Sequence, residues 1–104
     1  MSLGYIYLVQ MEVPAELEGE FNRIYDEQHV PCIMKVKGVR GCTRYVLERS
    51  SNDGMAKFAA IYEIDSPELP YSAEWKEASD TGDWKTVIRP HSTKRSHTVF
   101  KRVL

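Results

Sequence analysis

The residues of this chain best suited to chemistry are Tyr25, Asp26 and His29, which lie in one short run. On a helix, Tyr25 and Asp26 each lie about one turn before His29, so the three side chains are neighbours. Histidine has an ordinary pKa near neutrality, which suits general acid–base catalysis. Tyr25 could donate a hydrogen bond to a developing enolate, and Asp26 could orient the imidazole. The plainer alternative is a structural histidine at the end of a helix.

Tyrosine and tryptophan are the second group with functional potential, because each combines an apolar ring with a polar tip. We expect most of them to pack in the core or in an interface, and some to line an apolar pocket for a ring-shaped ligand. The residues predicted to bind substrate are Tyr7, Tyr62 and Trp75. The other aromatic candidates are Tyr45, Tyr71 and Trp84.

The remaining histidines and the two cysteines indicate less. His91 and His97 are six residues apart, a spacing that matches no common metal site, so no metal is expected. Cys32 could form a nucleophilic pair with a histidine, although a small buried hydrophobic role is simpler. Since Cys32 and Cys42 show no CxxC spacing and no secretory leader is recognisable, we expect free thiols and a cytoplasmic location.

Length and composition predict a single domain over residues 1–104, in which residues 1–3 could be an expression-vector remnant. The formal net charge of -1 provides no field to attract nucleic acid or a membrane, so neither is expected as a partner. No apolar run approaches the roughly 18 residues of a membrane span. The chain has no glycine-rich phosphate loop, nucleotide fingerprint or hydrolase elbow, and no cofactor is expected.

Charge is unevenly distributed. Residues 89–104 are basic and contain no acid, whereas residues 12–20 are acidic and contain no base. The simplest explanation is a solvated face on each segment. The alternatives are attraction between the two segments across an interface, or a basic rim that draws in anionic ligands.

Periodicity predicts an α+β fold in the order β-α-β-β-α-β. The predicted strands are 5–13, 39–49, 57–65 and 95–104. The first helix should run from Pro14 to about Gln28, with a break or bend near His29 and Val30 caused by Pro31. The second should begin with Ser66 as N-cap. This is the ferredoxin-like arrangement, a four-stranded antiparallel sheet with both helices on one face.

The first strand is apolar on both faces. Tyr5, Tyr7 and Val9 lie on one side, and Ile6 and Leu8 on the other. The helices of one chain cover only one face of the sheet. A second copy packed against the other face is the simplest cover, so the sequence predicts a homodimer.

Three stretches carry a resemblance to a known family. The most specific is Tyr25-Asp26-x-x-His29-Val30-Pro31, and it is followed by Val36-x-Gly38-Val39 and by the strand and Ser-Pro helix start of residues 60–68. Together they resemble the EthD-like branch of the dimeric α+β barrel superfamily, over about residues 5–104. The resemblance implies a homodimer whose sheets form a barrel, and a cleft in each subunit with the histidine near its mouth. Activities known in that superfamily are cofactor-free oxygenation, polyketide cyclisation and lactone or dienelactone isomerisation.

Two hypotheses follow. The first is a small cofactor-independent enzyme acting on an apolar or aromatic carbonyl compound, of cyclase, isomerase or oxygenase type, with His29 as acid–base. The second is a non-catalytic dimeric module that binds a small ligand or stabilises an assembly. A cleft that contains His29 and a tyrosine favours the first, and a packed interior with His29 in solvent favours the second.

Overall fold

Strands and short helical segments alternate along the chain in the predicted order. The structure is a computed structural model that describes residues 4–104, so the predicted vector remnant lies outside the described residues. The strands are β1 (Tyr5–Glu12), β2 (Val39–Val46), β3 (Phe58–Ile64) and β4 (Thr93–Lys101). The α-helices are α1 (Glu18–Ile24), α2 (Val30–Ile33) and α3 (Ala73–Ser79). Tyr25–His29 and Trp84–Ile88 are π turns, and Ala15–Leu17, Leu69–Tyr71 and Arg89–His91 are 3-10 turns.

The strands form one antiparallel sheet in the order β2-β3-β1-β4, which confirms the predicted ferredoxin-like arrangement. β1 is central, and its Tyr7 pairs with Tyr62 of β3 on one side and with Val99 of β4 on the other. Alternate residues share a face, so Tyr7, Val9 and Met11 point towards the helices. There they join the core, which also includes Phe21, Ile24, Trp75, Trp84 and Ile88.

The opposite face of the sheet has no second layer within residues 4–104. Its central residues Ile6, Leu8 and Ile61 are only half-buried. Towards its edges Tyr45 is 52% exposed and Phe100 is 49% exposed. Residues 4–104 therefore leave one apolar sheet face uncovered. Within the same residues, no helix is both long and apolar enough to cross a membrane.

The bend predicted near His29 and Val30 does not interrupt the helix. Both residues keep right-handed helical dihedral angles, and the chain passes through the π turn directly into α2. Pro31 lacks an N–H and its ring would clash with the carbonyl four residues earlier in an α-helix. A π turn resolves that conflict by widening the helix, which a sequence-based expectation of a break overlooks.

The second helix begins later than predicted. Ser66 is not its N-cap, because Ser66 precedes a turn and its Oγ donates to Glu68 Oε2 at 3.1 Å. The N-cap is Ser72, which has extended dihedral angles and whose Oγ accepts from the backbone N–H of Trp75 at 3.2 Å. Pro67 and Pro70 restrict the intervening segment to turns, so regular α-helix starts only after them.

Candidate functional site

Both π turns end two residues before a proline. The first, Tyr25–His29, precedes Pro31, and the second, Trp84–Ile88, precedes Pro90. In each the widened bond joins residues five apart, from Val30 N to Tyr25 O and from Arg89 N to Trp84 O. Such turns are rare and frequently occur at functional sites. A proline just beyond a helical pattern is thus the sequence signal that marks both turns.

Side-chain contacts hold the two π turns together. Gln28 Nε2 donates to Asp83 Oδ2 at 2.9 Å, and Gln28 Oε1 accepts from Asp83 N at 2.9 Å. Gly82 allows this approach: its φ is +80°, and a Cβ there would lie 2.6 Å from Gln28 Oε1. His29 follows Gln28 and Trp84 follows Asp83. The pairing of Gln28 with Asp83 therefore also brings His29 next to Trp84.

His29 is enclosed by aromatic rings. Its imidazole stacks on Trp84, with ring centroids 4.4 Å apart and 28° between the planes. The edge of Tyr25 approaches at 5.0 Å between centroids. Only 6% of His29 is exposed, and its buried Nδ1 has no hydrogen-bond partner. Nδ1 is therefore closed off from solvent and has no protein partner.

Asp26 does not orient this imidazole, contrary to the sequence-based expectation. Its Oδ1 accepts from Arg44 Nη1 at 2.8 Å, and its side chain is 62% exposed. Arg44 also donates to Asn22 Oδ1 and lies over the Tyr25 ring at 4.4 Å from the centroid. A helix presents residues one turn apart as neighbours, but the arginine from β2 offers the carboxylate a stronger, charge-assisted bond.

The surroundings of His29 strongly disfavour its charged form. Burial is the largest effect and, together with the positive charges of Arg89 and Arg44, it lowers the pKa of His29 to about 3. The imidazole is therefore neutral at physiological pH. A neutral imidazole can accept a proton or donate one hydrogen bond, but it cannot serve as a proton donor of ordinary histidine strength.

A cleft of about 630 Å³ opens between the sheet and the helical segments beside His29. Five of the six predicted site residues line it: Tyr7, Tyr25, His29, Tyr62 and Trp75. Asp26 is not among the lining residues. Tyr7 and Trp75 are in edge contact at 5.4 Å between centroids, and Tyr62 and Trp75 at 5.2 Å. The fold thus brings residues from β1, β3, α3 and the first π turn to a single aromatic wall.

Two tyrosine hydroxyls meet at the floor of this cleft. Tyr62 OH donates to Tyr25 OH at 3.4 Å, and both residues are buried. Burial raises the pKa of Tyr25 to about 12 and the pKa of Tyr62 well above its ordinary value. Both hydroxyls therefore keep their protons at physiological pH. The Cys42 thiol is a second hydrogen-bond partner of Tyr62. Since Tyr25 accepts from Tyr62, its own proton is available to another acceptor.

Polar residues that the sequence reasoning did not assign to the site also line the cleft. Arg89 pairs with Asp80 at 2.8 Å, and Lys76 pairs with the same carboxylate at 2.9 Å, which together hold the pKa of Asp80 at about 2. Arg95 and His97 of β4 lie on the opposite wall. For Arg89, Arg95 and His97, the only signal in the sequence is the basic character of residues 89–104.

No metal centre is formed by the part of the chain that the structure describes, since no three His, Cys, Asp or Glu side chains converge there. Cys32 and Cys42 are both free thiols, as predicted. Cys32 lies outside the cleft, in a depression between α2 and α3, so it does not pair with His29.

No protein-family model and no curated protein sequence matches this chain. Several solved structures are similar to it over nearly its full length. An EthD family protein of Bacillus halodurans has 14% identity and a TM-score of 0.66, over 95% of this chain and 99% of the other. A putative antibiotic biosynthesis monooxygenase of Bordetella bronchiseptica has 14% identity and a TM-score of 0.69, over 97% and 99%. The heme-degrading protein MhuD of Mycobacterium tuberculosis has 16% identity and a TM-score of 0.66, over 96% of both chains.

Other similar structures are described as dimeric ferredoxin-like proteins of unknown function. At such identities the likeness concerns the fold and does not carry over an activity. It does confirm, at that level, the resemblance seen in the sequence. The chain therefore has the ferredoxin-like fold that an EthD family protein shares with a heme-degrading protein and a putative monooxygenase.

Proposed function

We propose that this protein is a small cofactor-independent enzyme that removes a proton next to the carbonyl group of an apolar or aromatic compound. The observation that carries the proposal is the neutral, buried imidazole of His29 beside an aromatic-walled cleft. His29 Nε2 is the base. Tyr7, Tyr62 and Trp75 form the wall on which a ring-shaped substrate packs.

The charges around His29 suit an anionic intermediate. Arg89 and Arg44 disfavour a positive imidazolium, and the same positive field stabilises an enolate formed in the cleft. His29 is a weak base because its pKa is low. A suitable substrate therefore has a C–H bond that its own substituents make acidic. Once the enolate forms, its negative charge also stabilises the imidazolium that results from the proton transfer.

Tyr25 is the proposed hydrogen-bond donor to the enolate oxygen. Its hydroxyl accepts from Tyr62 and retains its own proton for the substrate. A neighbouring cation over the ring of a phenol makes its hydroxyl a better donor, and Arg44 occupies that position. Asp26 then acts at a distance from the substrate, as the residue that holds Arg44 in place.

The functional unit is proposed to be a homodimer formed through the uncovered sheet face. That face carries Ile6, Leu8 and Phe100 and lies on the side of the sheet opposite the cleft. Pairing two such faces would remove apolar surface from water in both subunits, at about 25 cal/mol per Å². The two clefts would then remain open on the outside of the assembly.

Proton exchange with solvent tests the chemistry directly. We expect the protein to accelerate deuterium exchange at C1 of 2-tetralone, a fused-ring ketone with acidified hydrogens, as followed by proton NMR in D2O at neutral pH. His29→Gln should lower that rate by about 100-fold or more. The matched control is His91→Gln, because His91 is exposed and does not line the cleft.

The outcome separates the two hypotheses. Exchange that is lost in His29→Gln, with a melting temperature within a few degrees of the wild type, supports the catalytic assignment. Saturable binding of the ketone without faster exchange supports the non-catalytic ligand-binding module instead. Because one protein of similar fold degrades heme, titration with hemin is a useful third arm. A cofactor-independent enzyme should give no saturable change in the Soret absorption.

A further inference from the structure

One cation of the cleft has no counter-charge. Three basic side chains line the cleft, those of Lys76, Arg89 and Arg95. Lys76 and Arg89 are both paired with Asp80. Within residues 4–104, the Arg95 side chain makes neither an ion pair nor a hydrogen bond. The cleft therefore contains more positive than negative charge: Lys76 and Arg89 share the single carboxylate of Asp80, and Arg95 on the β4 wall has no carboxylate partner.

Regular alternation along β4 places Arg95 on the cleft side of the sheet with His97 and Val99, and an irregularity follows at Lys94. Between the pairs Gln10–Ser96 and Glu12–Thr93 the register shifts, so β4 contains one residue more than β1. The extra residue is accommodated at Lys94, whose φ is +51°, the one positive value among non-glycine residues 4–104. A non-glycine residue in this region is strained by about 1–2 kcal/mol. The bulge therefore ends the regular alternation just beyond Arg95 and turns Lys94 away from the cleft-facing row of side chains.

The bulge separates two basic neighbours. Lys94 Nζ reaches Glu12 Oε1 at 3.5 Å, so its charge is compensated outside the cleft. Arg95 follows it and shares the cleft wall with His97, whose ring lies 6.1 Å from that of Tyr7. The positive charge of Arg95 also acts on the Tyr7 hydroxyl, where it opposes the rise in pKa that burial causes. The unpaired guanidinium thus lies beside the aromatic wall.

We infer that Arg95 forms a carboxylate subsite, and that the natural ligand is an aromatic or apolar carbonyl compound that also carries a carboxylate. This inference rests on the proposed function, because it names the class of compound that the cleft accepts. The planar guanidinium can bind a carboxylate through two parallel hydrogen bonds. The ring system then packs on Tyr7 and Trp75, with its reactive carbon towards His29.

Calorimetric titration with a matched pair of ligands tests the subsite. The pair is 2-naphthylacetate and 2-naphthylacetamide, which share the ring system and differ in charge. For the wild-type protein at neutral pH, we expect the acid to bind at least about tenfold more tightly than the amide. Arg95→Gln should remove this preference and leave the affinity for the amide unchanged. Lys101→Gln is the control, because it removes the same charge from the same strand outside the cleft.

Each result is decisive. Equal affinities for acid and amide in the wild type overturn the subsite but leave the proposed cleft chemistry standing. A preference for the acid that persists in Arg95→Gln overturns the assignment to Arg95. If neither compound binds, the aromatic-binding cleft of the proposed function fails, and the subsite fails with it. Since Arg95 is exposed, its substitution should not prevent folding, which circular dichroism can verify.

Discussion

His29 and Trp84 stack with 4.4 Å between their ring centroids. The residues just before them, Gln28 and Asp83, are 55 positions apart in the sequence and join the two turns through a hydrogen bond. Each ring belongs to a π turn, and the Gln28–Asp83 pair fixes one turn against the other. The arrangement buries the imidazole, keeps it neutral and directs it along the wall of the cleft. The stability of the fold and the protonation state of His29 are therefore coupled at this contact.

The first prediction concerns the pH dependence of stability. The pKa of His29 is lowered from 6.5 in the unfolded chain to about 3 in the folded one. Its contribution to stability is therefore complete above pH 6.5 and is lost as the pH falls towards 3, because only the unfolded chain takes up the proton in that window. Between about pH 7.5 and pH 5 the wild type should lose about 2 kcal/mol more than His29→Gln.

Urea denaturation at a series of pH values measures this difference. Carboxylates titrate in both proteins, so their contribution cancels in the comparison. His91→Gln should follow the wild-type profile, because that histidine is exposed. A constant gap between the wild type and His29→Gln across the range would mean that the buried imidazole titrates normally.

The second prediction concerns the contact between the π turns. Gly82→Ala places a Cβ at a φ of +80° and 2.6 Å from Gln28 Oε1. We expect a loss of at least about 1–2 kcal/mol in the free energy of unfolding, from backbone strain and displacement of the glutamine. The matched control is Gly19→Ala in α1, where the space for a Cβ is open. That change should stabilise the protein by about 0.5–1 kcal/mol.

Thiol reactivity provides the third prediction. Burial is the main reason that the pKa of Cys42 is raised to about 11 from its ordinary 9. In the Cys32→Ser variant at pH 8, native Cys42 should react with a disulfide reagent about 100-fold more slowly than in guanidinium chloride, since its thiolate fraction falls by that factor. Wild-type protein in guanidinium chloride should release two equivalents. Equal native and denatured rates would contradict the assigned environment of Cys42.

The fourth prediction concerns the assembly. Phe100→Glu places a charge on the uncovered sheet face and should convert a dimer into a monomer in analytical ultracentrifugation. Met34 is also a large, partly exposed hydrophobic residue, 38% exposed, but it lies outside the sheet. Met34→Glu should therefore leave the dimer intact. A wild-type protein that sediments as a single 12 kDa species at micromolar concentration would rule out the dimer.

The order of elements follows from the sequence because each depends on local periodicity. Alternation in β1 and β3 predicts strands with Tyr7 and Tyr62 on a buried face, and both are buried there. The end of α3 is also a local property, marked by Thr81 and Gly82. Its start was predicted too early, because Ser66 and Ser72 both satisfy the local rule for an N-cap. Only the extended backbone at Ser72 distinguishes them.

Side-chain periodicity and residue type were enough to predict the fold class and the free thiols, and to name as candidates five residues that line the cleft. Tertiary structure alone decided their partners. Asp26 is close to His29 in sequence but binds Arg44 of β2, and the imidazole instead stacks on Trp84. The pKa of a buried group depends on which distant charges and rings enclose it. For the same reason, the neutral state of His29 and the unpaired charge of Arg95 emerge only when the chain is folded.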